Sequence, residues 1–191
     1  MSNTDGKHIQ ELDLKVLGDG NGNIGIGSNV LSTIGSGADV NTGLGNGVLT
    51  TVGSGSDNNI GIGQAVLVTV GSGSSNNTGI GETVLETIGD NCDENIVIGH
   101  NAFPSLGNNI SNNIGIGNRV GQYETGSDKL FIGNDSSSVD EATGRQATLL
   151  YGDMSAGELT INGDLIVTGS ITGSGSGLTH PQIMARVSLG F

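Results

Sequence analysis

Asn23, Asn41, Asn59, Asn77, Asn95 and Asn113 stand 18 residues apart without a slip in register. Each opens the same short phrase, NIGIG in its commonest form, which closes on Gly27, Gly45, Gly63, Gly81, Gly99 and Gly117. A branched aliphatic precedes each closing glycine, at Ile26, Leu44, Ile62, Ile80, Ile98 and Ile116. A fixed period of this length restricts the chain to a stack of equivalent units, each burying its apolar side against the next. The expected fold is all-β and elongated: a β-roll or β-helix of 18-residue coils.

Within each coil a second strand-like piece follows the first: VLSTIG at 30–35, VLTTVG at 48–53, VLVTVG at 66–71 and VLETIG at 84–89, with AFPSLG at 102–107 and VGQYET at 120–125 as later versions. Turns of Gly, Ser, Asn and Asp separate the pieces. When one coil lies about 4.8 Å above another, each residue sits over its equivalent. A buried Asn can then bond the Asn above and below, and stacked Ile and Val fill the interior. Glycines at 25, 43, 61, 79 and 115, interrupted by Val97, leave one strand face bare. Such a face admits another backbone, and the expected neighbour is a second copy of the chain. An 18-residue coil encloses few large side chains, so three copies packed together are expected to bury the aliphatic stripes.

Composition narrows the classes. Aromatics are only 3% of 191 residues, yet the aliphatics keep register, which a disordered chain has no reason to do. The net charge of −13, from 19 acidic against 6 basic residues, excludes a nucleic-acid binder, which needs clustered cations. It also disfavours anionic membranes. Cys92, in the loop GDNCDEN, has no second cysteine to pair with and reads as a small loop residue. No signal peptide or membrane-length apolar run is found, so synthesis in a cytoplasm is expected.

Four segments follow from the pattern. Residues 1–22 are a lead-in or attachment segment in which Leu12, Leu14 and Val16 alternate with polar residues as a half-buried strand, a degenerate first coil or a point of attachment. Residues 23–135 hold six coils and a degenerate one, KLFIGND at 129–135, which comes 16 residues after the previous phrase. Residues 136–173 change character; Leu159, Ile161, Leu165, Val167 and Ile171 alternate between tight turns and suit a narrow β-prism. Residues 174–191 are a flexible joint and a terminal peptide that tethers or caps.

The NIGIG-x-x-VL phrase resembles the N-T-A-I-G-x-x-A-L repeats of bacteriophage tail fibres, especially those of cyanophages and related marine phages. It is also similar to the head repeats of trimeric autotransporter adhesins, which form a trimeric left-handed β-roll. The segment LLYGDMSAGELTINGDLIVTGSITG looks like the stretch that follows such repeats in phage fibre proteins. The period of 18 exceeds that of the adhesin repeat, and Gly25 stands where Ala is common. No coiled-coil stalk or membrane barrel is present in the sequence. The resemblance implies a homotrimeric virion fibre, of tail, head or neck, assembled in host cytoplasm and contacting other virion proteins or a host-surface polysaccharide or protein. Alternatives are the head of a trimeric bacterial adhesin and a polysaccharide-cleaving tailspike.

The residues able to carry chemistry give weak patterns. A glycosidase needs two carboxylates about 5 to 9.5 Å apart; Asp90, Asp93 and Glu94 share a turn, and Glu82 and Glu86 share coil four. Both sets occur in one coil only and read as solvated turn charges, so no catalytic residues and no enzyme activity are expected. Calcium would need recurring oxygen ligands, but Asp39 and Asp57 are followed in register by Ser75 and then Asp93. No cofactor or metal is therefore expected. Thr33, Thr51, Thr69 and Thr87 form a single rank where an ice-binding face needs two, and a stacked hydroxyl ladder accounts for them. His180, before Pro181, would be brought together in three copies on a trimer axis.

Overall fold

The computed structural model describes residues 22–135 and 138–168, and the backbone of 14–17. Leu12, residues 169–173 of the expected prism and the 174–191 peptide with His180 lie outside the described residues. The described chain is nearly all β, with one short helix. After β1 (Leu14–Leu17), each coil lays down a long strand and a short one: β2 (Asn23–Ser28) and β3 (Thr33–Ile34), β4 (Thr42–Asn46) and β5 (Thr51–Val52), β6 (Ile60–Gln64) and β7 (Thr69–Val70). The pattern continues with β8 (Thr78–Glu82) and β9 (Thr87–Ile88), β10 (Ile96–His100) and β11 (Ser105–Leu106), then β12 (Ile114–Asn118) and β13 (Lys129–Asn134). A helix α1 (Glu141–Ala147) and a hairpin of β14 (Leu150–Asp153) and β15 (Glu158–Ile161) follow.

The long strands stack parallel with every repeat position over its equivalent, Ile24 opposite Thr42 and Gly27 opposite Gly45, and likewise through β12. The short strands form a second, five-stranded sheet on the other wall. The chain is therefore a β-solenoid of about six turns with 18-residue coils. β13 closes a shorter coil, yet Ile132 still sits opposite Ile116 and Gly133 opposite Gly117.

Registration is held by the asparagine column, which is buried throughout. Asn77 shows the full set. Its backbone N–H and its Nδ2 both donate to Asn59 Oδ1, at 3.1 and 3.0 Å, and Nδ2 also donates to Cys92 O at 2.7 Å. Its own Oδ1 accepts from the backbone N and the Nδ2 of Asn95. Asn77 thus spends one donor and both lone pairs along the stack, and its second donor on the turn that precedes the next ladder asparagine. The column ends where Lys129 N donates to Asn113 Oδ1. Parallel columns of side-chain acceptors run beside it: Asp57 Oδ1 takes the N–H of Asp39, Ser75 Oγ that of Asp57, and Asp93 Oδ1 that of Ser75.

The closing glycines are demanded by the same stacking. Gly63 has φ +134°, and a Cβ there would fall 1.7 Å from Gly81 O of the next coil. No side chain fits between backbones that close.

The interior corrects two expectations. The isoleucines of the NIGIG phrase do not fill the coil; Ile24, Ile60, Ile62, Ile96, Ile98 and Ile116 are exposed. The bare glycine face does not await a second copy either. Gly25, Gly43, Gly61 and Gly79 face inward, and Val30, Val48 and Val66 occupy the space their side chains would need, with Val48 Cγ1 only 2.5 Å from a Cβ built on Gly61. The core is formed by the columns Val30–Val48–Val66–Val84 and Leu31–Leu49–Leu67–Leu85–Phe103 against Val52, Val70, Ile88 and Leu106, all at most 2% exposed. One chain encloses it alone. Where Val97 replaces glycine, position 102 of the valine column is Ala, and both residues are fully buried.

The ends leave the parallel stack. The strand expected in the lead-in is present as β1, and it pairs antiparallel with β2, so it is not a further coil. At the other end the expected prism is replaced, over the described residues up to Ile161, by α1 and a hairpin that continues the long sheet antiparallel to β13. α1 starts on a capping box, in which Asp140 accepts from Thr143 N and Thr143 Oγ1 accepts from Asp140 N.

Two outcomes test this account. Val40 holds φ +58° at a corner where Asn58, Asn76 and Asn112 stand in other coils, and it is 53% exposed. A β-branched residue is strained there. Val40→Asn is expected to raise stability by about 1 kcal/mol, read as a higher urea midpoint at unchanged slope. Asn77→Asp would aim a carboxyl at two acceptors, Asn59 Oδ1 and Cys92 O. Only its protonated form can donate, so its folded pKa lies above the unfolded value. Relative to the parent, the variant is then most stable below the ordinary Asp range and loses about 1.4 kcal/mol per pH unit as pH rises toward the raised value. Denaturant titrations at several pH values check this, with Asn77→Ala giving a pH-independent loss.

Candidate interaction face

Side chains of the long strands alternate, so the residues flanking each inward glycine point outward. They form two columns on one wall: Ile24, Thr42, Ile60, Thr78, Ile96 and Ile114, and beside it Ile26, Leu44, Ile62, Ile80, Ile98 and Ile116. Neither column contains a charge. Seven of these side chains are exposed by 37–44%. With strands of five residues over six rungs, the face measures roughly 17 Å by 30 Å, about 500 Å². That is the size of patch that marks an interaction site on a monomer.

Two polar edges border the face. One is the corner before each ladder asparagine, with Val40, Asn58, Asn76, Glu94 and Asn112. The other is the end of each long strand, with Ser28, Asn46, Gln64, Glu82, His100 and Asn118. Along the first edge a groove of about 450 Å³ is lined by Asn76, Thr78, Glu94, Ile96, Asn112 and Ile114, and Met154 of the β14–β15 turn closes it. Met154 is placed there by its N–H, which donates to Asp128 O at 2.8 Å.

Charge is distributed unevenly. No Lys or Arg lies between Lys15 and Arg119, a stretch holding eight acidic residues. Lys129 and Arg145 serve the C-terminal cap. Arg145 donates through Nε and Nη2 to the two carboxylate oxygens of Glu124, at 2.9 and 2.8 Å, and also pairs with Glu141. Its guanidinium lies 5.2 Å over the Tyr151 ring. Tyr151 in turn meets Phe131 edge-on, and Phe131 meets Phe103, so an aromatic stack plugs this end of the core. Lys129 Nζ sits 2.7 Å from Asp153 Oδ2. That hydrogen bond raises the lysine pKa and holds the Asp153 carboxyl well below the usual range.

Two of the carboxylates considered for catalysis are engaged by backbone N–H groups. Asp90 Oδ1 accepts Ser72 N and Asp93 Oδ1 accepts Ser75 N, so both are rungs of side-chain ladders. Glu82 ends a strand of the long sheet, whereas Glu86 precedes β9 in the short one. Among the described residues no group of three or more His, Cys, Asp or Glu is placed to hold a metal ion. Thr33, Thr51, Thr69 and Thr87 form an exposed rank on the short sheet, opposite the aliphatic face. Cys92 is buried in a column with Ser56 and Ser74; its Sγ sits 2.9 Å from Gly107 O as their hydroxyls sit 2.7 Å from Gly71 O and Gly89 O. Burial pushes its thiol pKa up. It is a structural thiol. No helix among the described residues is long and apolar enough to cross a membrane.

Sequence inspection missed the aliphatic face as a face, although i, i+2 alternation in I-G-I pointed to it. It also missed the helix and the Glu124–Arg145 pair, which lie 21 residues apart and share no local pattern. Neither a family model, nor a curated protein, nor a solved structure matches this chain.

The cap invites a direct test. Glu124 is 3% exposed, and removing its partner leaves a buried charge unpaired. Arg145→Met is expected to destabilise the cap by about 3 kcal/mol. The checking measurement is hydrogen exchange: protection falls over α1, β14 and β15 and stays unchanged over β4–β8.

Proposed function

We propose that this chain is the body of a homotrimeric virion fibre, non-enzymatic, which joins parts of a particle or contacts a host-cell surface. The carrying observation is the uncharged aliphatic face on an otherwise acidic solenoid. An acidic rod repels its own copies except where charge is absent, and the face provides that place along the whole stack. Its ~500 Å² falls short of the ~800 Å² per partner of a standard interface. The stem makes up the difference: Leu159, Leu165, Ile166 and Val167 are exposed by 42–83%. Three copies sharing one axis cover both at once. Capped ends and a backbone tied rung to rung suit a stiff spacer, and such a spacer bears load or presents a surface without needing a cavity. The phage-fibre likeness of the NIGIG phrase points the same way.

The test is oligomeric state. Light scattering on the purified chain is expected to give three times the 19.1 kDa monomer mass. Ile62→Asp combined with Ile98→Asp places acids on the face, which is expected to yield a monomer with unchanged far-ultraviolet dichroism. A wild-type monomer would overturn the trimer. Failure of antibodies to the chain to decorate intact particles from its host would overturn the virion assignment.

A further inference from the structure

We propose that the groove beside Glu94 is the docking site of this chain's own C-terminal peptide, residues 183–187, with the Arg186 guanidinium on the Glu94 carboxylate. The peptide lies outside the described residues. Its composition and the length of chain leading to it match what the groove requires.

The groove calls for an occupant that is apolar below and cationic at the rim. Its floor is Ile96 and Ile114 with Thr78, and its rim is Asn76, Glu94 and Asn112. Asp128 continues the rim one coil further, where it accepts from Asn112 Nδ2 at 3.0 Å. Two carboxylates therefore stand on this edge. Lys129 and Arg145 are engaged in the cap by Asp153, Glu124 and Glu141, and Arg119 Nε donates to Gln122.

The C-terminal stretch supplies the complement. From Leu165 onward the chain contains no acid, although the whole carries 19, and this stretch includes Arg186. Ile183, Ala185, Val187, Leu189 and Phe191 alternate with Met184, Arg186, Ser188 and Gly190. In extended form the apolar set shares one side. The long stem of an arginine can bend round such a side and carry its charge to a rim. An acidic rod attracts its own acid-free end.

Lengths agree as well. The groove crosses three coils and reaches Met154, roughly 15 Å, which is about five extended residues. Met154 N is bonded to Asp128 O, and Asp128 stands two rungs from Glu94, about 10 Å. Three extended residues cover that distance, so with Arg186 on Glu94, Ile183 lies at Met154. Asn162 N donates to Leu149 O, and from Leu149 to Met154 is about 17 Å along the strand. The chain between Asn162 and Ile183 can span several times that. Docked in this way, the peptide covers Ile96 and Ile114 and leaves the Ile26–Ile116 column open to a neighbouring copy. The docking does not depend on how many copies associate.

Cysteine trapping in the full chain carrying Cys92→Ser tests the docking; Ser56 and Ser74 already hold equivalent places in that column. Met154→Cys/Ile183→Cys is the docked pair. Ile24→Cys/Ile183→Cys is its control, on the floor column at the far end of the stack. Met154 and Ile24 are both exposed, so the core is left intact. The docked pair is expected to close an intramolecular disulfide about tenfold faster than the control. Closure is read as loss of both free thiols in a band of monomer mass on a non-reducing gel. Adding Arg186→Glu is expected to slow closure about fivefold, and adding Glu94→Arg to that variant to restore the rate. Equal rates for the two pairs, a rate indifferent to Arg186→Glu, no restoration by Glu94→Arg, or links formed only between chains would overturn the docking. Light scattering on the parent chain decides the oligomeric reading separately, since closure is scored within one chain.

Discussion

Vertical registration at the ladder asparagines governs everything else in this molecule. A carboxamide has two donors and one oxygen able to accept twice, and a stack of coils satisfies all of them only when equivalent positions stay in vertical register. Asn77, bonded to Asn59 below, Asn95 above and Cys92 O in the turn before Asn95, shows how little freedom remains. A one-residue slip would orphan buried polar groups, each costing about 1–3 kcal/mol. The columns of Asp, Ser and Asn acceptors at the turns repeat the lesson on the outside.

From that constraint comes the division of labour between side chains. Rungs fixed in register bring the closing glycines backbone to backbone, and the glycines two residues earlier face inward, where corner valines occupy the space a side chain would need. The isoleucines are consequently left outside, where an isolated chain cannot cover them. A surplus of apolar surface on the outer wall is thus the by-product of a core too thin to accept large residues from both sides. In the fibre reading, that surplus is what binds one copy to the next.

The fold and the candidate face were unequally legible in the residues. The period at Asn23 to Asn113, the paired strands per coil and the echo at residues 129–135 could be read by eye, because stacking forces identical positions to carry like residues. The ends could not. α1 depends on a capping box at Asp140 and Thr143, and its packing on the Arg145–Glu124 pair, which brings together residues far apart in sequence. The lead-in strand was visible from its alternation, yet nothing local says that it runs antiparallel to β2.

What the sequence determined by itself was the repeat length and the β character of the coils, since these follow from local periodicity. The corner at Val30 and Leu31, where Leu31 holds φ +48°, reads as strand in the sequence and leaves only Thr33–Ile34 extended. What the tertiary structure decided was which side of each strand is the inside. Alternation separates Ile24 and Ile26 from Gly25, but both sets can in principle face a core. The choice fell to the corner valines, whose bulk, chiefly from the preceding coil, fills the space beside the long strand and leaves room only for glycine.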